Sequence, residues 1–168
     1  MRPIGCVLIF FSAAACGMLF AARQKRLERI YAQSVVMTGM LIAFLQYDAP
    51  ALADLLDRVA RSGNCSELSY LGRTLELLHT GAGFREAFEE ALSEFCRENR
   101  CPDYYDSIFP LGNLLGAGRV ENQSRTLEAL RRNLQHASEQ VRQETEKRAR
   151  LFRSLGIGIG AAAAFVLI

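Results

Sequence analysis

The chain has 168 residues, about one domain's worth, and 20 Lys plus Arg against 18 Asp plus Glu leave a formal charge of +2. That balance is too even for a typical nucleic-acid binder, and a 50% hydrophobic composition with 4 prolines and 13 glycines excludes a disordered or collagen-like chain. Charged residues at 23% exclude a multi-span membrane protein, and 5 cysteines, two of them in apolar runs, argue against a disulfide framework.

The chain opens on a run from Pro3 to Ala22 that carries no charge. About 20 apolar residues at ~1.5 Å each give roughly 30 Å of helix, the thickness of a hydrocarbon core. A loose resemblance of Ala13-Ala14-Ala15-Cys16 to a lipoprotein cleavage site offers a cleaved leader as the competing reading. Arg23, Lys25, Arg26 and Arg29 follow the run, which predicts that the chain after it is cytoplasmic. A second apolar run, Ser154 to Ile168, follows Lys147, Arg148, Arg150 and Arg153. It is short for a span, and Leu151 and Phe152 extend it if Arg153 snorkels to the headgroups. The expected organisation is a transmembrane helix over 1–22, a cytoplasmic helical bundle over 23–150 and a second transmembrane helix over 151–168.

Between the runs the apolar spacing is that of helices, and no stretch alternates long enough for a strand. Ile30, Met37, Leu41, Phe44 and Leu45 put one stripe on a helix that continues from the first run and ends near Tyr47. Asp48 is placed to cap the second helix, with Pro50 in its first turn and Leu52, Leu55, Leu56 and Val59 inward. After Ser62-Gly63-Asn64, Ser66 is expected to cap a third helix with Leu68, Leu71, Leu75 and Leu78 inward. Thr80 to Gly83 make the next turn, and Phe84, Phe88, Ala91, Leu92 and Phe95 line the fourth helix. Pro102 opens the fifth, carrying Ile108, Leu111, Leu114 and Leu115, with Pro110 a candidate kink and Gly116 and Gly118 a stop. The sixth runs from about Glu121 through Leu127, Leu130, Leu134, Ala137 and Val141, then turns charged all round and is expected to reach Ile168 as one rod.

No phosphate-loop motif occurs, and Gly156, Gly158 and Gly160 have neither the spacing nor the preceding strand of a nucleotide fingerprint. Cys65, Cys96 and Cys101 lack the close pairing of a zinc site, and His79 and His136 stand apart from them. An enzyme would need a pocket uniting at least two of Cys65, Cys96 and His79. No catalytic, cofactor-binding or metal-ligating residues are therefore expected. Gly156 and Gly160, one helical turn apart in the final apolar run, suit close packing of membrane helices. Residues 48–96 hold nine carboxylates against four arginines, a candidate electrostatic docking face for a basic partner.

The segment Glu144-Thr145-Glu146-Lys147-Arg148-Ala149-Arg150-Leu151-Phe152-Arg153-Ser154-Leu155-Gly156 resembles the carboxyl-terminal junction of the stage III sporulation protein AB family. Leu115-Gly116 with Glu121 and Gln123, the Gly81 to Leu92 stretch with Phe88 at a tryptophan position, and Tyr47 with Pro50 are similar to further family segments. Arg119 stands near a usual acid, and Ala51 where leucine is usual. The resemblance implies an all-α six-helix bundle, similar to the helical domain of the type II secretion inner-membrane platform protein, between two transmembrane helices. It implies a non-enzymatic scaffold of the channel complex joining mother cell and forespore, in the mother-cell membrane with its soluble domain cytoplasmic. Implied partners are the bilayer, a secretion-type ATPase resembling the AA protein of the same complex, and the other membrane components. Neither nucleic acid nor a small-molecule substrate is expected. Candidate docking residues are Glu86, Glu89, Glu90, Glu94, Glu121 and Gln123. A membrane-tethered adaptor for a cytoplasmic signalling protein is the competing function.

Overall fold

A computed structural model describes residues 2–47, 52–116 and 120–167, with side chains described at 19, 21–46, 52–115, 125–147 and 151. Six helices make up the described residues: α1 (Arg2–Tyr47), α2 (Leu52–Arg61), α3 (Tyr70–His79), α4 (Phe84–Asn99), α5 (Pro102–Gly116) and α6 (Val120–Leu167). They fall into two compact units, Met1–Glu28 with Glu139–Ile168, and Arg29–Ser138; α1 and α6 contribute to both. Among the described residues no helix is long and apolar enough to cross a membrane. The expected spans at 1–22 and 151–168 lie outside the residues with described side chains, except at Leu19, Ala21, Ala22 and Leu151.

The second unit is built as the apolar spacing requires. Ile30, Met37 and Leu41 of α1 are buried as expected, and Phe44 and Leu45 are half-buried at its end. Leu55, Leu56 and Val59 close α2 against the core, and α4 buries Ala87, Phe88, Ala91, Leu92, Phe95 and Cys96. In α6, Leu127, Leu130 and Leu134 are buried, whereas Ala137 and Val141 are half-buried and the stripe ends there. Pro110 sits inside α5 on its exposed side, and the helix runs through it to Gly116. The expected cap at Asp48 and Pro50 and the stop at Gly118 lie outside the described residues.

One expected boundary is corrected. The third helix opens at Tyr70, and residues around Ser66 form a turn, with the Leu68 N–H donating to the Cys65 carbonyl at 3.0 Å. The cause is tertiary. Gln33 of α1 donates its amide N–H to the Ser66 hydroxyl at 3.3 Å and accepts the Glu67 N–H at 2.8 Å. Arg29 pairs with Glu67 at 2.9 Å beside it. Buried backbone N–H groups need a partner, and α1 supplies one here in place of a helix cap. The inward face of α3 follows suit: Tyr70, Leu71 and Thr74 are buried, and Leu75 and Leu78 are only half-buried.

The core is polar at its centre. The Ser34 hydroxyl donates to the Ile30 carbonyl at 2.8 Å and lies 2.6 Å from the Tyr104 hydroxyl. Tyr104 is in turn 3.2 Å from the Tyr70 hydroxyl, which reaches the Met37 sulfur at 3.6 Å. Three hydroxyl protons thus serve four links between two terminal acceptors. With Ser34 donating to Ile30, Tyr104 donates to Ser34 and Tyr70 to Tyr104; if the chain runs the other way, Tyr70 donates to Met37. Thr38 and Thr74 bond back to the carbonyls of Ser34 and Tyr70. No buried side-chain N or O among the described residues lacks a hydrogen-bond partner. Around this chain Tyr70 meets the rings of Phe95 at 5.2 Å and Phe88 at 5.8 Å, and Tyr104 meets Tyr31 at 5.2 Å. Each edge-on pair adds about 0.5–1.5 kcal/mol to area burial. α1, α3 and α5 are thereby joined by directional bonds as well as by packing.

Two helices end in the same motif. At α3 the Ala82 N–H donates to the Leu77 carbonyl and the Gly81 N–H to the Leu78 carbonyl, with Gly81 at φ 91°. At α4 the Cys101 N–H donates to Cys96 and the Arg100 N–H to Arg97, with Arg100 at φ 51°. Both are Schellman caps, in which the sixth and first residues touch. Cys96 and Cys101 are that contact. Glycine takes the left-handed position freely, whereas a residue with a Cβ loses roughly 1–2 kcal/mol there.

Candidate functional site

The acidic candidates gather on one helix. The core of α4 takes positions 87, 88, 91, 92, 95 and 96, so the helical repeat turns Glu86, Glu89, Glu90 and Glu94 outward, and all four are exposed. Arg73 of α3 lies at one end, 2.9 Å from Glu76 and 3.8 Å from Glu94. The hydrogen bond that Arg73 donates to Glu76 raises its guanidinium pKa further. These are solvent-exposed pairs and add little to stability. Tyr105 of α5 sits within the field of Glu89; desolvation first and that charge second push its phenol up. The helix is thus gripped by the core on one side and offers carboxylates on the other. Glu121 and Gln123, expected with them, lie outside the described side chains.

The membrane-junction candidates are divided. Arg23, Lys25, Arg26, Arg29 and Lys147 are exposed, and Arg29 also closes the ion pair with Glu67. Arg148, Arg150 and Arg153, with the packing candidates Gly156 and Gly160, lie outside the described side chains. Near them, Leu19 and Leu151 are apolar yet 73% and 60% exposed, which marks both helices as unsealed at those positions.

The residues considered for an enzyme site stand at different places. His79 is exposed in the last turn of α3, Cys65 is buried in the turn after α2, and Cys96 is buried near the end of α4. Burial pushes the Cys65 thiol up, while the Cys101 thiol and then burial push up Cys96, so both are held as thiols. Among the described residues no three His, Cys, Asp or Glu groups gather in a way that could hold a metal ion. Sequence reasoning missed the hydroxyl chain of Ser34, Tyr104 and Tyr70. The available signal was two hydroxyls, Ser34 and Thr38, inside the apolar stripe of α1.

Among the described residues the molecule is all-helical, a bundle with a hydrogen-bonded core and an acidic face on α4. It belongs to the stage III sporulation protein AB family, whose family model matches residues 2–168. Membership implies a role in sporulation. No curated protein and no solved structure matches the chain.

Proposed function

We propose that the chain is a non-enzymatic membrane scaffold of the channel complex between mother cell and forespore, docking a secretion-type ATPase through the acidic face of α4. The observation that carries this reading is the placement of Glu86, Glu89, Glu90 and Glu94 on the exposed side of a helix whose opposite side is fixed in the core. Such a face recognises a basic partner with little rearrangement, and its attraction steers the encounter at low salt. The uncharged run from Pro3 to Ala22 and the apolar run from Ser154 to Ile168 support anchorage at both ends. The basic residues beside them, Arg23, Lys25, Arg26, Arg29, Lys147, Arg148, Arg150 and Arg153, suit an anionic inner leaflet at about 1 kcal/mol each near the surface. Gly156 and Gly160 suit packing against a neighbouring membrane helix.

The bundle is read as similar in role to the type II secretion platform domain, facing the mother-cell cytoplasm, with the AA protein of the same complex as its ATPase and other channel components alongside. Affinity purification of the full chain from sporulating cells tests this. The unaltered chain is expected to bring down the ATPase, and the Glu86→Lys, Glu89→Lys, Glu90→Lys triple variant to lose it with its helical content unchanged. Retention of the ATPase by the triple variant contradicts the docking face. Recovery of a signalling protein in place of the ATPase establishes the adaptor instead.

A further inference from the structure

The cap that ends α4 brings two cysteines together. The Cys101 N–H donates to the Cys96 carbonyl at 3.0 Å. Standard bond lengths on either side of that hydrogen bond keep the two Cα atoms under about 7 Å even when fully stretched, and a disulfide cannot cross more than that. The side chains also turn towards each other. The Cys101 sulfur lies 4.0 Å from the Cys96 carbonyl oxygen, and the two thiols share a hydrogen bond. Both residues are buried, Cys96 at 7% exposure and Cys101 at 5%.

The cap itself does not call for sulfur. It needs an apolar contact between its first and sixth residues, and two aliphatic side chains supply one. The twin cap at the end of α3 has Leu77 and Ala82 at those positions. At α4 both positions are cysteine, so this cap also carries a dithiol. Cys65 stands apart from it in chain order, in the turn after α2.

We propose that Cys96 and Cys101 form a reversible dithiol–disulfide site whose oxidant is a low-molecular-weight disulfide. One protein sulfur attacks the reagent disulfide, forms a mixed disulfide and releases one small thiol. The second protein sulfur then displaces the other small thiol and closes the Cys96–Cys101 bond. Two protein S–H bonds and the reagent S–S bond are exchanged for one protein S–S bond and two small-molecule S–H bonds. The two electrons and two protons of the dithiol thus leave with the reagent. In a reducing compartment the pair rests as the dithiol and closes when the disulfide pool rises. Closure ties the last turn of α4 to the residue just before α5. The site is separate from the glutamate face and does not depend on the docking proposed for it.

The test equilibrates the full chain in detergent micelles with oxidised and reduced glutathione, once folded and once unfolded in urea. Cys96 is buried and its thiol ionises late, so exchange is slow and is followed to equilibrium. The mixture is quenched with acid, alkylated and digested with trypsin. Trypsin cuts after Arg97 and Arg100, so a closed bond appears in mass spectrometry as a linked peptide pair. The prearranged sulfurs are expected to give a folded-state equilibrium constant about tenfold or more above the unfolded one, and by the same linkage an oxidised chain that melts higher than the reduced one. Cys101→Ser should remove that rise. The proposal is overturned if the linked pair never forms in the folded chain, if the folded constant is no larger than the unfolded one, or if either cysteine ends on Cys65 or on glutathione in place of its neighbour.

Discussion

Gly72 and Gly112 both lie inside helices, yet the same substitution should act on them in opposite directions. Helix propensity alone favours Ala over Gly in a helix interior by about 0.8–1.0 kcal/mol. At Gly72 in α3 a Cβ meets nothing within 4 Å, so Gly72→Ala should stabilise by about that amount. At Gly112 in α5 a Cβ sits 2.7 Å from Cδ1 of Phe88 and 3.3 Å from its Cε1. The ring cannot swing away cheaply. It is 1% exposed, and Tyr70 at 5.8 Å and Phe84 at 5.7 Å flank it. Overpacking of this kind costs about 1–3 kcal/mol, which cancels or exceeds the propensity gain. The two variants should therefore differ by about 1–3 kcal/mol, and roughly 2–4 °C of melting temperature accompanies each kcal/mol at this chain length. Thermal unfolding of the full chain in micelles, followed by circular dichroism, measures it. Phe88→Leu should rescue Gly112→Ala, with a coupling of about 0.5–3 kcal/mol in the double-mutant cycle. Equal stabilisation by Gly72→Ala and Gly112→Ala would refute the α4–α5 packing.

The hydroxyl chain has two terminal acceptors, so Ser34→Ala and Met37→Leu should each cost only about 1 kcal/mol, because the remaining hydroxyls reverse direction. Together they leave one tyrosine proton without an acceptor, and the double variant should exceed the sum by about 1–3 kcal/mol; strict additivity in urea unfolding would count against the network. Burial above all raises both tyrosines, Tyr70 and Tyr104, above the ordinary 10.0, and Cys65 and Cys96 are raised above 9.0. The folded chain then holds the neutral forms while the unfolded chain ionises, so their stabilisation is complete below the unfolded values and is lost as pH rises past them. Stability should be unaffected by these groups from pH 6 to about 8.5, fall above about 9 and fall faster above about 10, by up to ~1.4 kcal/mol per pH unit per group. A pH series of unfolding midpoints checks it, and Tyr104→Phe should flatten the upper limb.

The helices were legible because Leu and Ile recur at helical spacing, as at Leu127, Leu130 and Leu134, and because burial of such a stripe drives helix placement. The start of α3 was not legible. Ser66 is a good capping residue locally, and only Gln33, more than thirty residues earlier, claims the turn. Tyr70 and Tyr104 carried no signal in the sequence, because each hydroxyl finds its partner on another helix. The left-handed turn at Gly81 announced itself through glycine, and its twin at Arg100 carried no such signal. The glutamate face was visible because its members share a single helix.

The central claim is a bundle tethered at both ends with α4 facing the mother-cell cytoplasm. Glu90→Cys, placed on the exposed side of α4, reports that directly through reaction with a membrane-impermeant maleimide in sporulating cells, after subtraction of the unaltered chain's own thiols. The account predicts no added labelling in intact cells and full labelling once the membrane is permeabilised. Added labelling of intact cells would contradict it.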